Sequence, residues 1–192
     1  MSDIQKKRFS KLSLVAGLLI LVGGFLVSSC TAALKTLNPS ISGPQLIVNP
    51  ESISLGVAKL TGTDVVFEGS GFKPGDSVFI TLFGPNKTEV VAAGGKVGSD
   101  GKFKATMEAL VKVAGILKAN VSSEYAADGK QKQILVITQP PIPAGTYTAR
   151  ATSMLSDLSA ETTLVVREPS VGDRLKDWLG KKLGKIQDKR SK

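Results

Sequence analysis

The hydrophobic residues of this 192-residue chain fall into successive patterns, and each predicts a different kind of element. From residue 12 to residue 34 no charge occurs, and "LSLVAGLLILVGGFLV" is almost unbroken apolar sequence. Residues 31–45, "TAALKTLNPSISGPQ", lose that character; small residues, prolines and a glycine with weak periodicity read as a tether. From Leu46 onward short runs of strand length take over: "LIVNP", "SISLGV", "DVVFEGS", "SVFITLF", "TEVVAA", "KFKATM", "QILVIT", "TYTARATS" and "TTLVV". In "SVFITLF" a period of two puts Val78, Ile80 and Leu82 on one face and Phe79, Thr81 and Phe83 on the other. Turn residues punctuate the runs at 71–76, 84–86, 99–101 and 143–145. Many short strands so separated predict a mainly β fold, an antiparallel sandwich over 46–167.

The period of two gives way to helical spacing in two places. Met107, Leu110, Val111, Ala114 and Leu117 predict a short helix at about 107–118, followed by a polar loop through Lys132. This insertion reads either as a binding loop on a rigid scaffold or as a cover for an open sheet edge. In "SVGDRLKDWLGKKLGKIQDKRSK", residues 170–192, Val171, Leu175, Trp178, Leu179, Leu183 and Ile186 recur three and four apart. They predict one apolar stripe on a C-terminal amphipathic helix within 168–192. Ser170 can cap its start, with Asp173 in the first turn and bases crowding the end. Gly180 and Gly184 fall on the polar side, and each weakens the helix by ~1 kcal/mol relative to alanine.

"VVFEGSGFKPGDSVFITLFG", "VGSDGKFKATM" and "PAGTYTARATS" resemble bacterial immunoglobulin-like modules, including the TIG-like group. The likeness spans about 46–167, with a gap at the inserted segment. It implies an immunoglobulin-like sandwich in which Tyr147 packs across a corner and bonds backbone through its hydroxyl. Ala149 stands where antibody domains carry a cysteine, so that staple is missing.

The apolar run near the N-terminus follows a basic start, "MSDIQKKRFSK", which is the layout of an export signal. At its end, Val27-Ser28-Ser29-Cys30 resembles the lipobox of bacterial lipoproteins. That likeness implies cleavage after Ser29, lipidation of Cys30 and attachment of the mature chain to a cell-envelope membrane. An uncleaved signal anchor is the alternative, since the uncharged run reaches the about 20 residues that span a bilayer. Either way the residues after it lie outside the cytoplasm.

Charge sharpens this division. The chain has 25 bases and 16 acids, net +9, but the surplus sits at its ends: +3 over 1–29, +5 over 171–192 and only +1 between. A near-neutral globular part gives no footprint for nucleic acid. Histidine is absent and there is a single cysteine, which removes the commonest general base, the commonest metal ligand and any internal disulfide. Asp100 and Asp76 are explained as turn residues, and "GSGFKPG" lacks the ending of a phosphate loop. The expectation is therefore a non-enzymatic binding or structural module with no cofactor and no metal. Its partners would be the membrane through Cys30, and an envelope protein or a glycan. A sugar platform would draw on Phe72, Phe83, Phe103 and Tyr125. The C-terminal stripe, with Lys181, Lys182, Lys185 and Lys189, would meet a membrane or a partner, dock on its own domain, or remain a mobile tail.

Overall fold

The run "SVFITLF" forms a seven-residue strand, and it shows how the chain is organised. Val78, Ile80 and Leu82 are buried while Phe79 is largely exposed, as the period of two requires. The computed structural model describes residues 34–125 and 128–190, all within the unit Leu34–Lys192. In chain order it contains β1 (Gln45–Asn49), β2 (Ser52–Ser54), α1 (Val57–Thr61), β3 (Val66–Ser70), β4 (Ser77–Phe83), β5 (Glu89–Lys96) and β6 (Phe103–Thr106). These are followed by β7 (Ala119–Tyr125), β8 (Gln131–Ile137), β9 (Gly145–Ser153), β10 (Ser159–Arg167), α2 (Val171–Lys182) and β11 (Ile186–Asp188). The fold is mainly β.

Three sheets form, ordered β1-β3-β6, β2-β10-β9-β4-β5 and β11-β8-β7. Most pairings are antiparallel, as expected, but β2 runs parallel to β10 and β11 parallel to β8. One core joins all three sheets: Val48, Phe67 and Phe103 from the first, Ile80, Leu82, Tyr147 and Leu164 from the second, and Ile137 and Ile186 from the third. The β4–β5 register slips between Ile80 and Thr81, so that Ala92 is the unpaired residue of a bulge and both Ala92 and Ala93 turn inward.

Tyr147 occupies the centre of this core. Its side chain is fully buried, and its hydroxyl donates to the Pro143 carbonyl at 2.8 Å. The ring lies flat enough on Gly84 that a Cβ there would come within 2.0 Å of Tyr147 Cε1. Burial pushes the phenol above its ordinary value. Asp76 is more than the turn residue expected. Its carboxylate accepts from the Ser77 and Leu155 amides and from the Ser156 hydroxyl, tying the start of β4 to the β9–β10 connection. Burial alone would raise this carboxyl, but these bonds outweigh it and lower it.

Three expectations are corrected. "SISLGV" is a strand only through Ser54; the chain then turns at Gly56 into α1. The segment 107–118 is not a regular α-helix but mainly a π-helical turn, Val111–Ile116, closed by Leu117 N–H donating to the Lys112 carbonyl at 3.0 Å. The polar loop through Lys132 is instead a β-hairpin, β7 paired with β8 from Ala119↔Ile137 to Tyr125↔Gln131. Beyond its first residue β7 is exposed on both faces, so no apolar alternation advertises it.

Candidate functional site

The C-terminal segment carries the site that the sequence singled out, and its local chemistry sets its geometry. Ser170 Oγ accepts from the Asp173 amide at 3.2 Å, while Asp173 Oδ2 accepts from the Ser170 amide at 3.1 Å, a reciprocal capping box. The helix stops sooner than the apolar spacing suggests. Gly184 adopts φ 62°, its N–H donates to Lys181, and the Lys185 N–H reaches back to Gly180, which together make a Schellman ending. Ile186 is therefore not part of the helical stripe. It is buried in β11, opposite Leu135 of β8. Gly184 was the signal in the sequence that could have found this end.

The helix docks on the β unit by its polar face. Asp173, Asp177 and Gly180 lie at i, i+4 and i+7, hence on one side. Asp173 Oδ2 accepts from the Ser54 hydroxyl at 2.8 Å, and a Cβ on Gly56 would stand only 2.6 Å from Asp173 Cβ. Asp177 accepts from the Val57 and Ala58 amides at 2.9 Å each and so caps α1, whose own N-cap, Gly56, has no side chain to do it. A Cβ on Gly180 would lie 2.7 Å from Ile186 Cδ1, which is why the isoleucine can close against the helix backbone. The two glycines that cost helix propensity thus serve docking and termination.

The apolar stripe consequently points away from the core. Val171 is 85% exposed, Leu175 64%, Trp178 54%, Leu179 51% and Leu183 55%. Lys182 sits among them, its ammonium 5.9 Å from the Trp178 ring centroid. Arg174 and Lys181 run along one edge of the stripe, and Lys176 stands on the other. All three acids of this segment are engaged: Asp173 and Asp177 inward, and Asp188 by Lys181 at 2.8 Å and by Arg190 at 2.8 and 2.6 Å. The Arg190 and Lys181 hydrogen bonds hold the Asp188 carboxyl far below the usual carboxylate range. The Ser54 hydroxyl, foremost among several groups, lowers Asp173. Arg174, Lys182, Lys185 and Lys189 are exposed and make no ion pair among the described residues.

A cleft of about 490 Å³ opens on the Arg174–Lys181 edge, between α2 and the segment carrying Pro140 and Pro141, with Trp178 and Arg190 on its wall. Its Lys181, Arg190 and Asp177 are held in the contacts just described. The aromatic residues considered for a sugar platform do not assemble. Phe72 and Phe103 are core residues in edge-to-face contact at 5.2 Å, Phe83 lies beneath the Arg150 guanidinium, and Tyr125 is exposed on the β7–β8 hairpin. Asp100 Oδ1 accepts from the Lys102 amide at 3.1 Å, as a turn aspartate should. Among the described residues no helix is long and apolar enough to cross a membrane. The run 12–34 belongs to that question but, save for Leu34, lies outside the described residues, as does Cys30.

No protein-family model matches the chain, and no curated protein does. Among solved structures it is similar to macromomycin, at 14% identity over 65% of this chain and 99% of that one, with a TM-score of 0.34. A likeness at that level carries no argument about fold or ligand.

Proposed function

We propose that this is an exported cell-envelope protein, lipid-anchored at Cys30, that displays an immunoglobulin-like β-sandwich as a binding or structural module. The observation that carries the binding role is the outward apolar face of α2. A row of five exposed large apolar side chains, rigidly mounted on a β scaffold by hydrogen bonds from its opposite face, is a surface for contact. Two features support the immunoglobulin-like reading: largely antiparallel sheets sharing one core, and the Tyr147 hydroxyl bonding backbone a few residues upstream, as in a tyrosine corner. The lipid anchor is supported by the basic start, the apolar run and the small residues before Cys30.

The function follows from display rather than chemistry: adhesion, envelope assembly or service as an accessory subunit. Intact-mass analysis after expression in a lipoprotein-competent bacterium tests the anchor. The expected product begins at Cys30 with added acyl mass, and Cys30→Ala blocks processing. A full-length unmodified chain in the membrane would decide for a signal anchor. Co-purification from solubilised envelopes, comparing the native chain with one carrying Leu175→Glu and Leu179→Glu, tests whether the α2 face recruits the partner.

A further inference from the structure

We infer that the α2 face is a membrane-resting surface: it lies on the anionic headgroup layer of the bilayer to which the chain is tethered. This rests on the lipid-anchor reading and deepens it, because it gives the domain a second attachment point and hence a fixed orientation. Charge complementarity is the first argument. The acids within 171–190 are turned inward or paired, so the outward side presents Val171, Leu175, Trp178, Leu179 and Leu183 bordered by Arg174, Lys176, Lys182, Lys185 and Lys189, which outnumber the exposed Glu168 on the cleft beside Trp178. An apolar arc bordered by bases is the arrangement of a helix lying in the membrane interface, where the lysine stems extend to the headgroups. A neutral apolar partner would leave the cations without counter-charge, and an acidic protein surface would leave the leucines and Trp178 without an apolar bed.

The second argument is where the tether ends. The Lys35 amide donates to Asn49 Oδ1 and the Asn49 amide group returns a bond to the Lys35 carbonyl, both at 2.9 Å, while the Lys35 ammonium pairs with Glu51. The tether is thus fastened to the domain from Lys35 on, leaving residues 30–34 between anchor and domain, at most roughly 17 Å of chain. From Glu51 the chain enters β2, which ends at Ser54, the residue that bonds Asp173 of α2. That distance is about 10 Å along the strand. Anchor exit and helix therefore share one end of the unit, and a short leash brings α2 to the bilayer surface.

Trp178 is the only tryptophan in the chain, so its fluorescence reports this face alone. The test uses residues 34–192, which hold every residue of the described core and lack Cys30. Vesicles of equal parts phosphatidylglycerol and phosphatidylcholine are compared with phosphatidylcholine alone, at low and high salt. The expected result is co-sedimentation with the anionic vesicles, a blue shift of Trp178, quenching by brominated acyl chains, and weakening with salt. Leu175→Glu with Leu179→Glu should keep the melting temperature, since both side chains are exposed, and lower vesicle affinity by at least about tenfold. Equal binding to both vesicle types, no binding, sedimentation with Trp178 still in water, or a protein dimer that buries Trp178 would each overturn the inference. Because the fragment has no lipid site, its vesicle binding is read separately from the mass of processed Cys30, so failure of the surface contact and failure of the anchor are told apart.

Discussion

Strand β9 and helix α2 are both amphipathic, and they are mounted in opposite senses. In β9 Tyr147, Ala149 and Ala151 enter the core while Thr146, Arg150 and Thr152 meet water; in α2 the acids and a glycine face the domain while leucines and the tryptophan face outward. The difference shows that periodicity reveals that an element has two faces, not which one the fold uses. Burial of hydrocarbon decides for β9. For α2 the decision is made by amides: α1 begins with donors that no local side chain caps, and Asp177 satisfies two of them. The stripe is left facing solvent.

Paired substitutions separate the two modes. Tyr147→Ala should destabilise the domain by ~3–5 kcal/mol, the usual range for a buried aromatic, as measured by denaturant unfolding. Trp178→Ala, a larger truncation, should change stability by no more than about 0.5 kcal/mol. If both cost the same, the contrast drawn between the faces is wrong. Ile186→Ala should cost about 2 kcal/mol, near the low end for buried isoleucine because β11 is a three-residue edge strand. Asp177→Ala, which removes the α1 cap, should cost roughly 1 kcal/mol and speed amide exchange at Val57 and Ala58.

The pH response sharpens the same comparison by direction. Asp173 and Asp188 are lowered in the fold, so the stability they lend is present above the ordinary carboxylate value of about 4 and is lost as pH falls through their folded values. Tyr147 is raised, so its contribution is present below about 10 and is lost as pH climbs through its higher folded value. Acid should loosen the C-terminal docking, seen as new proteolytic cleavage within 168–190, while alkali should weaken the core itself. Asp76 adds an acid-sensitive tie at the β4 end, so the melting temperature should also drop in acid. Cleavage in the C-terminal segment at alkaline rather than acid pH would contradict this assignment.

Much of the β unit was legible because its strands bury one face against one core. "SVFITLF" and "TYTARATS" needed only alternation, and the buried Tyr147 with its hydroxyl bonded to backbone was expected from the sequence's resemblance to immunoglobulin-like modules. What escaped the sequence has no local signature. α1 takes its cap from a residue far along the chain, β7 is wet on both faces, and β11 is a three-residue strand whose single buried Ile186 also fits the helical spacing before it. The candidate face was half legible: the five stripe residues and Lys182 are where a helix would put them, whereas Ile186 belongs to the core and Lys181 to Asp188.

The capping of α1 has a consequence in time. Val57 and Asp177 are 120 residues apart, and a chain that appears N-terminus first has completed nearly all of its strands before the carboxylate arrives. Until then the first turn of α1 stands with two amides open to water, and the corner beside Gly56 is unfilled. Any copy cut short after Arg167 keeps that opening permanently. The α2 segment therefore closes this corner after the strands are made, and a chain without it would leave the first turn of α1 frayed and open to a protease.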